Sequence, residues 1–166
     1  ISGPTKLKTT SNTITRIDVK SAAEMYQEVK SNYKQADIII MAAAVADYTP
    51  INIAKDKLKK TEKELQLKLK ATQDILSSIG QLKSKKQLLI GFALETSNEI
   101  KNAKEKLIRK NLDLIILNSL NDKGAGFECD TNKITILDKN NKVEKYELKS
   151  KSEVASDIFN KIISLL

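Results

Sequence analysis

The 166-residue chain has no histidine and no tryptophan, one cysteine, two prolines and five glycines. Without histidine, neither a Ser-His-Asp or Cys-His nucleophile nor the usual mixed His/Cys zinc site can be assembled. Cys129 has no second cysteine to pair with, so an internal disulfide is excluded and a reducing, cytoplasmic setting is expected. No apolar run nears the ~18 residues of a membrane span and no signal-peptide pattern opens the chain, so no membrane partner is expected. Four Tyr and three Phe leave little to stack on bases, which weighs against single-stranded nucleic acid. Charge is what the chain has in quantity: 29 basic against 21 acidic residues, a net +8. Most of that excess is lysine scattered over expected helix faces, a solvated surface unless the lysines converge, and no nucleic-acid partner is expected.

A hydrophobic content of 40% is enough for the core of one domain. The stretch most of the chain is arranged around begins with Ile38 to Met41, a continuous apolar run with three β-branched residues that reads as a strand covered on both faces. Its side chains then shrink to Ala42, Ala43, Ala44 and Ala46, leaving backbone bare for a ligand, with Asp47 beside the opening. Before it, Thr13 to Val19 alternates as a short strand, and Ser21 with Glu24 forms a capping box for a helix to about Tyr33. After it, Thr49 to Lys63 loses its apolar period and reads as a lysine-rich loop. Leu65 to Lys70 alternates strictly, as a half-exposed strand does.

Thr72 is placed to cap a helix from Gln73 to Ile79, with Gly80 at its C-terminal end. Leu88 to Ala93 is a second buried strand, Ser97 opens an amphipathic helix to about Lys110, and Leu112 to Leu117 is a third strand ending at Asn118. A Gly-, Asn- and Asp-rich loop follows at 121–127. Lys133 to Asp138 and Val143 to Leu148 flank a hairpin turn, and Ser150 with Glu153 caps the closing helix. Strands alternating with helices and ending in a hairpin predict an α/β, Rossmann-like three-layer fold: a mostly parallel sheet with an antiparallel C-terminal hairpin.

Three places then hold candidate chemistry: Ala43 to Asp47, Gly91-Phe92 and Asn118. As strand ends of a parallel sheet they belong at one edge, where α/β ligands bind. Lys57-Leu58-Lys59-Lys60 leaves the first of them, and such a cluster can close over a triphosphate. Lys106 and Lys110 are four apart and share a helix face. Neither GxGxxG nor GxxxxGK[ST] occurs. The residues alone therefore reach an α/β domain with an anionic-ligand site and do not name the reaction.

Taken together and in order, Ile1 to Thr5, Ala42 to Tyr48, Lys57 to Lys60, Lys70 to Leu76, Gly91 to Thr96, Arg109 to Asp113 and Gly124 to Asn132 resemble the phosphopantothenoylcysteine synthetase domain of coenzyme A biosynthesis. In bacteria that domain is commonly the C-terminal half of a bifunctional flavoprotein, fused to a flavin-dependent decarboxylase; FMN is implied only where that upstream domain is present. The resemblance implies a phosphopantothenate–cysteine ligase. It uses CTP as co-substrate with Mg²⁺, and passes through an acyl-cytidylate to 4′-phosphopantothenoyl-L-cysteine, CMP and pyrophosphate. By position, it implies substrate contacts at Ala43, Ala44 and Asp47, and a flap lysine at Lys57 acting on the triphosphate. Nucleotide contacts fall at Asp47, Lys57, Thr72, Gln73, Asp74, Ile75, Phe92, Lys106, Lys110 and Asn118. Thr72-Gln73-Asp74-Ile75 stands where the family has Asn-Pro-Asp-Ile. Metal ligands are not implied by any residue.

The resemblance also implies a homodimer, for which the strand at Leu65 to Lys70 is the candidate pairing edge. Residues 1–166 read as a single ligase domain that lacks the family's N-terminal βα unit, and with it an Asn-His-Ser-Ser-Gly-Lys stretch whose asparagine acts on the acyl-nucleotide. The expectation is that this polypeptide alone is catalytically incomplete. Two other readings compete. A basic nucleic-acid-binding α/β module would bind polyanions with steep salt dependence, and a structural α/β domain would bind no small ligand.

Overall fold

The computed structural model describes residues 1–9, 11–54, 56–59, 65–119 and 130–166. In chain order the elements are α1 (Ala22–Asn32), β1 (Ile38–Met41), β2 (Tyr48–Pro50), β3 (Leu69–Ala71), α2 (Ile75–Leu82), β4 (Leu88–Glu95), α3 (Glu99–Arg109), β5 (Leu114–Ser119), β6 (Thr131–Asn132), β7 (Ile134–Asp138), β8 (Val143–Lys145), β9 (Lys149–Ser150) and α4 (Lys151–Ile163). They divide into two compact units, Ile1–Asn32 with Ala43–Ile75, and Tyr33–Ala42 with Leu76–Leu166. Lys60, the loop at 121–127 and Cys129 lie outside the described residues.

The second unit is built on a five-stranded sheet of order β1-β4-β5-β7-β8. β1, β4 and β5 run parallel, whereas β7 and β8 are antiparallel. This is the mostly parallel sheet with a C-terminal hairpin that the alternation of elements predicts. Period-2 patterning sorts the strands into two faces. Ile90, Leu114, Ile116, Ile134 and Ile136 pack against Val154, Ile158 and Ile162 of α4. The opposite face carries Leu89, Gly91, Ala93 and Ile115, and there α2 lies so close that a Cβ on Gly91 would stand 2.7 Å from Leu76 Cδ2. α3 shares that face, with Ala103 and Leu107 buried. At the hairpin, Asn140 N and Lys142 N both donate to Asp138 Oδ1, at 2.9 and 3.0 Å, and Asn141 takes φ 66°. Ser150 and Glu153 form the expected reciprocal cap of α4.

Four expectations change. β1 pairs only with β4 among the described strands and Ile40 is 39% exposed, so the run 38–41 is an edge strand and not one covered on both faces. Apolar content reports what a strand can bury; it does not report how many neighbours it has. Gly91 and Phe92 sit in mid-strand, because β4 continues to Glu95; they are level with the end of β1, whose Met41 is in register with Gly91. Gly80 lies inside α2. Its missing side chain serves a close approach to α3, where a Cβ would stand 1.9 Å from the Lys110 carbonyl oxygen. The α3 N-cap is Asn98, at φ 47°, one residue beyond Ser97.

In the first unit, α1 begins beside Ser21, whose Oγ accepts from Glu24 N at 3.2 Å while Lys20 N donates to Glu24 Oε2 at 2.9 Å. Val19 and Met25 are its buried apolar residues in this part of the chain. The stretch expected as a strand at 13–19 makes one parallel bridge, Ser2 with Asp18, because its partner is the single residue Ser2. β2 and β3 form a short antiparallel ribbon, Tyr48 opposite Ala71 and Pro50 opposite Leu69. The alternating run 65–70 thus enters a ladder only at its end, since β2 offers three residues. Leu65, Leu67 and Leu69 remain 71%, 59% and 52% exposed.

Candidate functional site

In the first unit, 43–47 leaves the strand region as an open turn, with Val45 N donating to Ala43 O at 3.1 Å. Ala43, Ala44 and Asp47 are exposed. The turn is fastened from the other side by Thr72, whose N–H donates to Asp47 O at 2.9 Å and whose Oγ1 donates to Ala46 O at 2.7 Å. Thr72 therefore does not cap α2; its hydroxyl is spent on the alanine turn. The β2–β3 ladder sets this up, because Tyr48 and Ala71 are in register and the next residues outward are Asp47 and Thr72. Two stretches 25 residues apart in sequence, and separate motifs in the family resemblance, are thereby one local structure. Among the described residues the Asp47 carboxylate has no hydrogen-bond or ion-pair partner, so it is free to accept. Gln73 and Asp74 are exposed beside it in sequence, and Ile75 is buried. Lys57 lies on the excursion between β2 and β3, exposed and without an ion pair among the described residues.

In the second unit, Phe92 and Asn118 stand on the α4 face of neighbouring strands. Phe92 is in register with Ile116, and Asn118 two residues further along with Leu94. Phe92 packs, half-buried, against the α4 core. Asn118 Oδ1 accepts from Asn132 Nδ2 at 3.1 Å, so this amide is oriented with its own Nδ2 outward. Lys106 and Lys110 are half-buried on the last turns of α3, on the opposite face, with Lys110 N donating to Lys106 O at 3.0 Å. α3 leaves the carboxyl end of β4 and returns to the start of β5, so these backbones lie toward the amino edge; lysine side chains lean toward their helix N-terminus, back along α3. Ser119 Oγ donates to Glu99 Oε1 at 2.5 Å, tying the start of α3 to the end of β5.

One polar group of this unit escaped the sequence reading. Asp113, 4% exposed, accepts from Lys83 Nζ at 2.7 Å, Lys139 Nζ at 3.1 Å and Leu89 N at 2.9 Å. Burial pushes its carboxyl up, but the Lys83, Leu89 and Lys139 hydrogen bonds outweigh burial and hold it below the ordinary 3.8. An acid placed immediately before an apolar strand was the available signal.

The family-model comparison covers residues 1–166 and returns the DNA/pantothenate metabolism flavoprotein C-terminal domain. The chain belongs to that family. Within it, the coenzyme A biosynthesis bifunctional protein CoaBC of Bacillus subtilis (strain 168) is 42% identical over 165 residues, 99% of this chain and 40% of the relative. A cysteine/cysteine sulfinic acid decarboxylase from an unknown prokaryotic organism is 52% identical over 164 residues, 99% of this chain and 46% of that protein. The crystal structure of the C-terminal domain of CoaBC aligns with a TM-score of 0.78 at 37% identity, covering 98% of this chain and 73% of that one. The chain thus spans less than half the length of these curated relatives. The domain that the seven motifs resemble is the one these comparisons return, with its Rossmann-like fold.

Proposed function

We propose that this family domain acts as a phosphopantothenate–cysteine ligase. The observation that carries the reading is the fastening of Thr72 to the Ala46 and Asp47 carbonyls, which joins in one local structure two stretches that the resemblance assigns to substrate and nucleotide. Membership in a family whose relatives include CoaBC supports it. The decarboxylase name of the 52% relative is not carried over, because less than half of that protein is matched.

In this reading the 4′-phosphopantothenate carboxylate attacks the α-phosphorus of CTP, a P–O bond forms and pyrophosphate leaves. The cysteine amine then attacks the acyl carbon, the amide forms, and CMP departs with the acyl-oxygen electrons. Ala43 and Ala44 let the substrate approach the backbone. The exposed Asp47 carboxylate accepts hydrogen bonds from sugar or pantoate hydroxyls. Lys57 offsets the charge that builds on the leaving pyrophosphate, a role suited to an ammonium on an extended excursion. Phe92, Asn118 and the 72–75 stretch are taken as further nucleotide contacts; Lys106 and Lys110, on the opposite face of the sheet from Phe92 and Asn118, are assigned to the nucleotide by the family resemblance alone. Among the described residues, no three His, Cys, Asp or Glu side chains cluster to hold a metal. In this reading magnesium comes with the nucleotide phosphates, and no step is assigned to it.

Calorimetric titration with CTP tests the reading. Saturable binding is expected, weakened about tenfold or more by Lys57→Ala, since a charge-assisted contact to phosphate is lost. Binding that Lys57→Ala leaves intact, or affinity for any polyanion that collapses with salt, would overturn it.

A further inference from the structure

The second unit contains a cavity of about 590 Å³ at the amino edge of its parallel strands. None of the residues assigned to the ligase lines it: Asp113 of its lining precedes β5, and Asn118 lies at the other end of that strand. Its volume falls within the ordinary range for small-molecule sites, ~300–1,000 Å³.

Its lining joins two chemistries. Lys83, Lys85 and Lys139 share the lining with one acid, Asp113. That acid is already held by Lys83, Lys139 and the Leu89 N–H, so it has little left to offer a cation. Three ammonium groups against one carboxylate leave two positive charges in excess. Lys85 is exposed and has no ion-pair partner among the described residues, so it is free to turn toward a ligand; Lys139, 62% exposed, does so by releasing Asp113, which Lys83 and the Leu89 N–H still hold. The apolar part of the lining is Leu107, Leu112 and Ile108, and Ile108 is 73% exposed although both leucines are buried. A solvated lysine patch would not need that wall, and a site for a cation would not place three lysines around one satisfied acid.

We propose that this cavity binds a small phosphomonoester carrying a short alkyl group: a dianion matching the two excess charges, with the alkyl part against Ile108. The probes are n-butyl phosphate, inorganic phosphate and 1-butanol, titrated into the whole chain while amide resonances of Ser84, Ile108 and Asn111 are followed. Butyl phosphate is expected to shift all three saturably, with a dissociation constant of about 1 mM, and inorganic phosphate to bind about tenfold more weakly for want of the buried methylenes. Lys85→Gln with Lys139→Gln should abolish saturation. Ile108→Ser, a surface change, should lower butyl phosphate affinity to that of inorganic phosphate. The proposal is overturned by absence of saturation, by shifts that persist in the double variant, or by 1-butanol matching butyl phosphate. Because CTP binding does not enter these readouts, failure here leaves the ligase reading standing, and the converse holds.

Discussion

Gly80→Ala separates two opposed effects by sign. Gly80 is inside α2, and at an open helical position alanine would stabilise by about 1 kcal/mol through propensity alone. Here the added Cβ would meet the Lys110 carbonyl oxygen at 1.9 Å and its carbon at 3.0 Å. A carbon-to-oxygen contact settles near ~3.3 Å, so α2 and the end of α3 must part by more than about 1 Å. The obstacle is backbone fixed by Lys110 N donating to Lys106 O and by Asn111 Nδ2 donating to Gly80 O at 2.7 Å, and no flexible side-chain end can yield. Overpacking of this kind costs roughly 1–3 kcal/mol or more, and losing the Asn111 bond adds about 1. After the propensity gain, a net loss of roughly 1–3 kcal/mol is expected, or a Tm lowered by roughly 2–12 °C for a chain this size. Urea denaturation followed by circular dichroism measures it. A variant as stable as the parent, or more so, would refute the close packing of α2 on α3.

Asp113→Asn should cost about 3–5 kcal/mol, because Lys83, 8% exposed, loses its charged partner while Lys139 simply returns to water. The same carboxyl fixes a pH dependence. Its folded value is depressed, so its contribution is complete above the ordinary value of 3.8 and disappears as pH falls through the lower folded one. Urea midpoints against pH should fall below that range in the parent, and an equally steep fall in Asp113→Asn would contradict the assignment. For the homodimer that the family resemblance implies and that we propose here, the exposed Leu65, Leu67 and Leu69 are the contact. Sedimentation equilibrium should give a dimer whose dissociation constant rises about 100-fold or more in Leu67→Lys with Leu69→Lys; a parent monomeric at micromolar concentration would remove that interface.

Periodicity carried the second unit well. Leu88 to Ala93 lies in β4, and the run 112–117 marks β5, which is shifted two residues on to Leu114–Ser119, because their apolar residues are continuous and short; Ser150 with Glu153 marks α4 because both side-chain acceptors of a cap are visible three residues apart. What eluded the sequence depends on partners distant along the chain. Ile38 to Met41 does not reveal that β4 alone among the described strands lies beside it, and Gly80 reads as a terminus until Lys110 is seen against it. Leu65 to Lys70 has the right alternation, but a ladder needs a second strand of matching length, and β2 is short. At the candidate site, the alanine turn and Asp47 were legible from composition and order. The use of Thr72 to fasten that turn was not, since a threonine before a helix ordinarily signals a cap.

The chain crosses between its two units three times, at residues 32, 42 and 75, so neither unit is a continuous segment. During synthesis Ile38 to Met41 must therefore wait for β4, about 50 residues later, before any ladder can accept it; at ~5–20 residues per second that is roughly 3–10 s. For that interval the four apolar residues Ile38 to Met41 travel on the nascent chain without the ladder that pairs them in the folded unit.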